Sequence, residues 1–230
     1  MTLDYSRIQA LCFDIDGTLS DTDDEFVRKL ARRLSLVKFL FPHKDPRPFA
    51  RRLVMATETP GNLFFGLTDR LGLDGPLARL GDLIYRLGLG GKPDPFVLIA
   101  GVRRMLGLLH SRYPLSIITA RGERTNRQFL DQFELSACFV CVAHAQTCRR
   151  CKPRPDQVLW AAAQMGVPAE SCLMIGDTTL DIRAGKAAGA QTVGVLCGFG
   201  EEDELRRAGA DLILPSTANL AEILIREDEC

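Results

Sequence analysis

The chain has 230 residues, 46% of them hydrophobic, with 29 Lys+Arg balanced by 29 Asp+Glu, a size and make-up for one large globular domain or one domain with an insertion. Zero formal net charge excludes the long-range field that draws a protein to nucleic acid or to an anionic membrane. No apolar run approaches the ~20 residues needed to span a bilayer, and the first core strand begins too early for a signal peptide, so a cytoplasmic protein is expected.

Residues 8–13 form an apolar run of strand length, followed by Asp14-Ile15-Asp16-Gly17-Thr18. In an extended chain, residues i and i+2 point the same way. Asp14 and Asp16 are therefore expected to aim into one spot at the strand's carboxyl end, where Gly17 lets the chain turn. Phe26, Leu30, Leu34, Val37 and Phe41 follow at helical spacing, with Asp21 or Thr22 as the cap. Pro42, Pro46 and Pro48 then enforce a loop. Short helices are expected over 49–56 and 63–71, and another through Leu77, Leu80, Ile84 and Leu87. Nothing between Thr22 and Gly88 reads as a good strand, and the breakers at 88–95 read as a hinge.

Beyond Pro95 the pattern alternates. Helices are expected over 102–110, 123–132, 155–165, 180–188, 201–208 and 218–225. Strands are expected over 115–118, 139–142, 172–175, 192–196 and 212–214. Gly166, Gly189 and Gly209 stand where helices should close. Such alternation specifies an α/β fold with a doubly wound parallel sheet covered on both faces. The first strand belongs to that sheet, yet some 70 helical residues separate it from the next. The expected organisation is an α/β core over 1–20 and 92–230, with an inserted α-helical cap over 21–91.

Ligands in such sheets bind at the carboxyl ends of the strands. There the expected topology gathers Asp14 and Asp16, Thr119 after the second strand, Lys152, and Gly176-Asp177 with Asp181 one turn later. Like charges repel and buried charge is costly. Four acids, a hydroxyl and an ammonium therefore make a poor core but a good site for a divalent cation and a phosphoryl group. Taken singly, each has a bland alternative: Asp-x-Asp as a turn, Asp177 as a helix cap, Lys152 as a solvated loop lysine, Thr119 as a common strand-end residue. Their joint appearance in order outweighs these.

This set resembles the four motifs of the haloacid dehalogenase-like hydrolase superfamily, and the insertion after the first motif is similar to the helical cap of its phosphoglycolate phosphatase and β-phosphoglucomutase branch. The resemblance covers nearly the whole chain. It implies Asp14 as a nucleophile that forms an aspartyl-phosphate, and Asp16 as general acid and then base. It implies Mg²⁺ held by Asp14, the Asp16 main-chain carbonyl and Asp177, with Asp181 as a ligand or in support of that shell. Thr119 and the Ala120 N–H would bind a phosphate oxygen, and Lys152 would neutralise charge on the phosphoryl group and Asp14. Arg121 and Gly122, which follow Thr119, have two readings, as lining of the substrate site or as ordinary surface. The expected substrate is a small phosphorylated metabolite, and the expected assembly a monomer or homodimer. A phosphosugar mutase would keep every one of these core motifs. A dehalogenase has no use for a second acid such as Asp16. A catalytically silent binding module usually lacks the nucleophile or a metal acid, and none is missing here.

Eight cysteines in a reducing compartment read as thiols, with Cys12 and Cys172 as small core residues. Cys138-Phe-Val-Cys141 and Cys148-Arg-Arg-Cys151, with His144 between them, have a spacing that can hold zinc. Cys141 falls inside an expected strand, however, where residues three apart face opposite sides, so independent thiols are the expectation. Cys151 adjoins Lys152, which makes it a candidate for inhibitory oxidation or alkylation.

Overall fold

The computed structural model describes residues 3–21 and 96–226, together with Leu34, Ser35 and Pro46. Short, continuously apolar runs rather than alternating ones mark strands buried on both faces. Six mainly apolar strands, β1 (Ala10–Phe13), β2 (Leu115–Ile118), β3 (Cys141–Ala143), β4 (Cys172–Gly176), β5 (Gln191–Val195) and β6 (Leu212–Leu214), form one sheet in the order β3-β2-β1-β4-β5-β6, with the central ones fully buried. Every neighbouring pair is parallel. The strand order reverses beside β1, so the crevice of the sheet opens between β1 and its neighbours at their carboxyl ends.

The helices are α1 (Val102–Leu109), α2 (Glu123–Phe133), α3 (Asp156–Met165), α4 (Thr179–Ala187), α5 (Glu202–Ala208) and α6 (Leu220–Arg226). Strand parity divides the core. Leu11, Phe13, Ile117, Leu173, Ile175 and Val193 pack with Met105, Leu106 and Leu109 of α1, Phe129 of α2 and Leu224 of α6. Ala10, Cys12, Ala143, Cys172 and Met174 face Val158 and Ala161 of α3 and Ala184 of α4. Small residues dominate this second face, so its helices approach closely. A Cβ on Gly185 of α4 would lie 2.6 Å from Thr192 Cγ2 and 2.9 Å from Met174 Cβ, closer than packed atoms tolerate.

The expected core elements are present with small shifts. β3 starts at Cys141 rather than at 139, because the chain first makes a 3₁₀ turn at Ser136–Cys138 and leaves Val140 exposed. The last helix begins with a 3₁₀ turn, Thr217–Asn219, whose Ser216 hydroxyl accepts from Ala218 N at 3.3 Å. Where the chain leaves the core and returns, the two passes are clasped. Asp21 N donates to Val97 O at 2.7 Å, Ile99 N donates to Leu19 O at 3.0 Å, and Ser20 pairs antiparallel with Leu98. The expected cap over 21–91, with its helices, caps and prolines, lies outside the described residues apart from Asp21, Leu34, Ser35 and Pro46.

Candidate active site

Asp14 follows β1 directly, and its N–H donates to Ile175 O at 3.0 Å, which carries the sheet ladder one residue past the strand. Its side chain is 9% exposed. Lys152 Nζ lies 2.8 Å from Asp14 Oδ1 and 2.6 Å from Asp181 Oδ1, with the lysine side chain 7% exposed and Asp181 wholly buried. Asp181 belongs to the capping box of α4. Its Oδ2 accepts from Thr178 N at 3.0 Å and from Thr178 Oγ1 at 2.6 Å. The helix start and the ammonium are thus fixed by one carboxylate.

Asp177 is also wholly buried. Its Oδ1 accepts from Thr18 Oγ1 at 3.2 Å and its Oδ2 from Phe199 N at 2.9 Å. Glycines make room for it. A Cβ on Gly17 would stand 2.2 Å from Asp177 Oδ2, one on Gly198 would stand 2.3 Å from the same atom, and one on Gly200 would stand 1.9 Å from Asp177 O. Gly17 also has φ +69°, the left-handed region that only glycine enters freely. The turn after β1 therefore needs glycine twice over, for its dihedral and for the carboxylate beside it.

Burial pushes the Asp14 carboxyl up to about 7. Lys152 pulls it down, while Asp181 and Asp16 push it further up. Burial works against the Lys152 ammonium, but Asp14 and Asp181 outweigh it and hold that group charged well above the usual lysine range. One atom each from Asp14, Asp177 and Asp181 lies within 4.8 Å of the others, all three residues buried. Three buried carboxylates around a single buried ammonium are short of positive charge, and an all-oxygen donor set suits a hard divalent cation.

Thr119 ends β2 and is 1% exposed. Its hydroxyl accepts from Arg121 N at 3.1 Å, and Ala120 between them is exposed. Gln157, a fully buried residue of α3, donates from Nε2 to the carbonyls of Thr119 at 3.0 Å, Ala143 at 3.3 Å and His144 at 3.2 Å. It ties the carboxyl ends of β2 and β3 together. Asp16 stands near enough to Asp14 to help raise its carboxyl, and its own side chain has a further partner. Asp14 faces Lys152 in the interior, whereas Asp16, 28% exposed, accepts a two-point contact from Arg121, with Nε 2.5 Å from Oδ2 and Nη2 on Oδ1. Phe96, where the chain re-enters the core, lies under the guanidinium at 4.8 Å.

Asp14, Lys152, Asp177 and Asp181 are brought together as their order in the sequence predicts. The cysteines are not. Among the described residues the three aspartates are the group with converging ligand atoms, and Cys138, Cys141, Cys148 and Cys151 do not form one. Cys141 Sγ turns to Ala161 O, Cys148 Sγ to Asp156 O and Cys151 Sγ to Ala145 O, while Cys138 packs on the main core. His144 Nδ1 meets Gln146 Oε1 at 2.9 Å. Cys151 is 3% exposed, which removes the ready access that alkylation beside Lys152 requires. Residues not anticipated are Thr18, Gly198, Phe199, Gly200 and Gln157. The glycine pair just after β5 carried a usable signal, because that strand end borders the crevice. Gln157 carried none.

A doubly wound parallel sheet with a buried carboxylate–ammonium cluster where its strand order reverses is the framework of an α/β enzyme. The sequence matches the family of haloacid dehalogenase-like hydrolases over residues 8–189, and the chain belongs to that family. It is a hydrolase. It is 28% identical over 222 residues to the pyrophosphatase PpaX of Anoxybacillus flavithermus, covering 95% of this chain and 97% of that protein. It is 28% identical over 231 residues to a phosphoglycolate phosphatase of Chromobacterium violaceum, covering 96% and 99%. A solved hydrolase from Pseudomonas syringae shares the fold with a TM-score of 0.63 at 24% identity, over 95% of this chain and 98% of its own.

Proposed function

We propose that the protein is a Mg²⁺-dependent phosphatase that hydrolyses a small phosphate monoester through an aspartyl-phosphate. The observation that carries this reading is the buried Asp14 carboxylate, held by Lys152 and grouped with Asp177 and Asp181. A carboxylate cannot approach a phosphate dianion through a partly dry site unless positive charge offsets the repulsion, which reaches several kcal/mol at ~4 Å. Lys152 supplies one positive charge. Asp14, Asp177 and the Asp16 main-chain carbonyl would hold Mg²⁺, with Asp181 steadying Lys152 and the metal's surroundings. When bound, the ion supplies charge neutralisation at the phosphoryl oxygens.

In this scheme Asp14 attacks phosphorus, the P–O ester bond breaks, and its electron pair leaves on the alkoxy oxygen. Asp16 donates its proton to that oxygen. The Asp16 carboxylate then takes a proton from water as the water oxygen attacks phosphorus, and the Asp14–phosphorus bond breaks to release phosphate. Thr119 Oγ1 and the Ala120 N–H hold a phosphoryl oxygen through both steps. The insertion over 21–91 acts as a helical cap that excludes bulk water and selects the leaving group. The protein works in the cytoplasm on a small phosphorylated metabolite. The names of its relatives, a pyrophosphatase and a phosphoglycolate phosphatase, support phosphoryl chemistry without fixing one substrate.

The test is hydrolysis of p-nitrophenyl phosphate with and without Mg²⁺, repeated with Asp14→Asn. The variant should lose about 10³-fold or more of the rate, and chelation of the metal should abolish turnover. Undiminished activity in the variant would remove the nucleophile and the scheme with it.

A further inference from the structure

Two cations serve this site, and they are built differently. Lys152 is 7% exposed and committed to two buried acids. Arg121 and Asp16 are 25% and 28% exposed, so their ion pair lies on the accessible side. A planar guanidinium offers a fork that matches any carboxylate or phosphate edge, and here that fork closes on Asp16 with two parallel contacts. Partly exposed pairs are weak and exchangeable, unlike buried ones.

Arg121 is also placed as a receptor. Its N–H caps the hydroxyl of Thr119, so backbone and side chain are fixed from the loop that follows β2. Its guanidinium lies over the Phe96 ring, and Gln132 clips the Phe96 backbone from both sides, donating to its carbonyl at 2.7 Å and accepting from its N–H at 3.1 Å. Phe96 in turn packs edge-to-face on Phe129. Such a platform preserves the guanidinium's place when its anionic partner changes. While Arg121 occupies both Asp16 oxygens, Asp16 is held as an acceptor of two N–H donors rather than as the donor a leaving oxygen needs.

We propose that Arg121 is a specificity residue that exchanges Asp16 for a second anionic group on the substrate, a carboxylate or a further phosphate borne close to the ester oxygen. The exchange fixes the substrate by two anions and frees Asp16 to face the leaving oxygen. The preferred substrate class is therefore phosphate esters of short hydroxy acids or other doubly anionic phosphates, rather than esters of uncharged alcohols. This rests on the phosphatase reading above.

The test compares kcat and KM for phosphoglycolate and for ethyl phosphate, which differ in the carboxylate, using the full chain with Mg²⁺. The wild type should favour the acid by about tenfold or more in kcat/KM, the scale of one charge-assisted contact. Arg121→Gln should collapse that ratio towards unity, mainly through KM for the acid. Arg121→Lys keeps the charge without the fork, should retain part of the preference, and decides the matter where the glutamine variant does not fold. A wild type indifferent to the carboxylate would overturn the inference, as would variants that lose both substrates in equal proportion. If neither ester is hydrolysed by the wild type while Asp14→Asn matches it on p-nitrophenyl phosphate, the phosphatase reading has failed, and the inference falls with it.

Discussion

Lys152→Met removes the ammonium between Asp14 and Asp181 and replaces it with an apolar side chain of similar length. Two contacts of 2.8 and 2.6 Å are lost, and two buried carboxylates are left facing one another. Breaking a buried ion pair from one side costs about 3–5 kcal/mol, which lowers the urea midpoint by about 1–2 M for a chain of this size. The deficit depends on pH in a defined direction. Asp14 in the fold sits at about 7, above its ordinary value of 3.8, so the folded state holds that proton more tightly than the unfolded chain does. Ionising it costs stability as pH rises from about 4 to about 7. Without Lys152 the folded value rises further, so wild type and variant lose stability alike between about pH 4 and 7, and the variant's deficit grows above about pH 7, where Asp14 ionises in the wild type alone. Protonation of Asp14 limits the loss near pH 7, and the pH ramp therefore separates charge from packing. Trp160, the single tryptophan, packs partly buried against the second core cluster and reports unfolding by its fluorescence. Measurements in chelator keep metal from contributing. A deficit that does not change between about pH 6 and 9 would refute the electrostatic account, because lost packing alone has no such slope.

Two further outcomes follow from the same geometry. Gly17→Ala forces a Cβ onto a backbone at φ +69° and to within 2.2 Å of Asp177 Oδ2; the dihedral alone costs about 1–2 kcal/mol, and the displaced carboxylate should weaken Mg²⁺ binding, as measured by calorimetry, by more than that loss of stability explains. The raised value of Asp14, about 7, means that a metal must displace a proton below neutrality, so apparent Mg²⁺ affinity should fall by up to about tenfold per pH unit between pH 7 and 5. Titrations at three pH values check this, and a flat profile would show that Asp14 is not among the ligands.

The core was legible because its information is local. Continuous apolar runs specify buried parallel strands, helical spacing specifies what lies between them, and Gly166 and Gly209 stand at the helix ends where they were expected. The deepest part of the site was legible for a related reason. Asp14 and Asp177 follow strands directly, Asp181 lies in the first turn of α4 and Lys152 in the loop between β3 and α3, and the topology of a parallel sheet sends those ends to one place. Cys138, Cys141, Cys148 and Cys151 stay independent thiols, as the strand through Cys141 implies. Spacing brings two thiols near one another only if the backbone between them keeps the geometry of a metal knuckle. Here a 3₁₀ turn and a short strand send Cys138 and Cys141 to different surroundings.

Chain order and residue type alone determined that six strands lie in parallel and that three acids and an ammonium share one end of the sheet, since both follow from patterns of hydrophobicity and from the direction in which strands run. Only the three-dimensional packing decided the rest. It joined Asp16 to Arg121, set Gln157 across two strand ends, and surrounded Asp177 with glycines from loops about 180 residues apart. Those contacts depend on distances between segments that no local pattern encodes, and on how much water burial leaves around each charge.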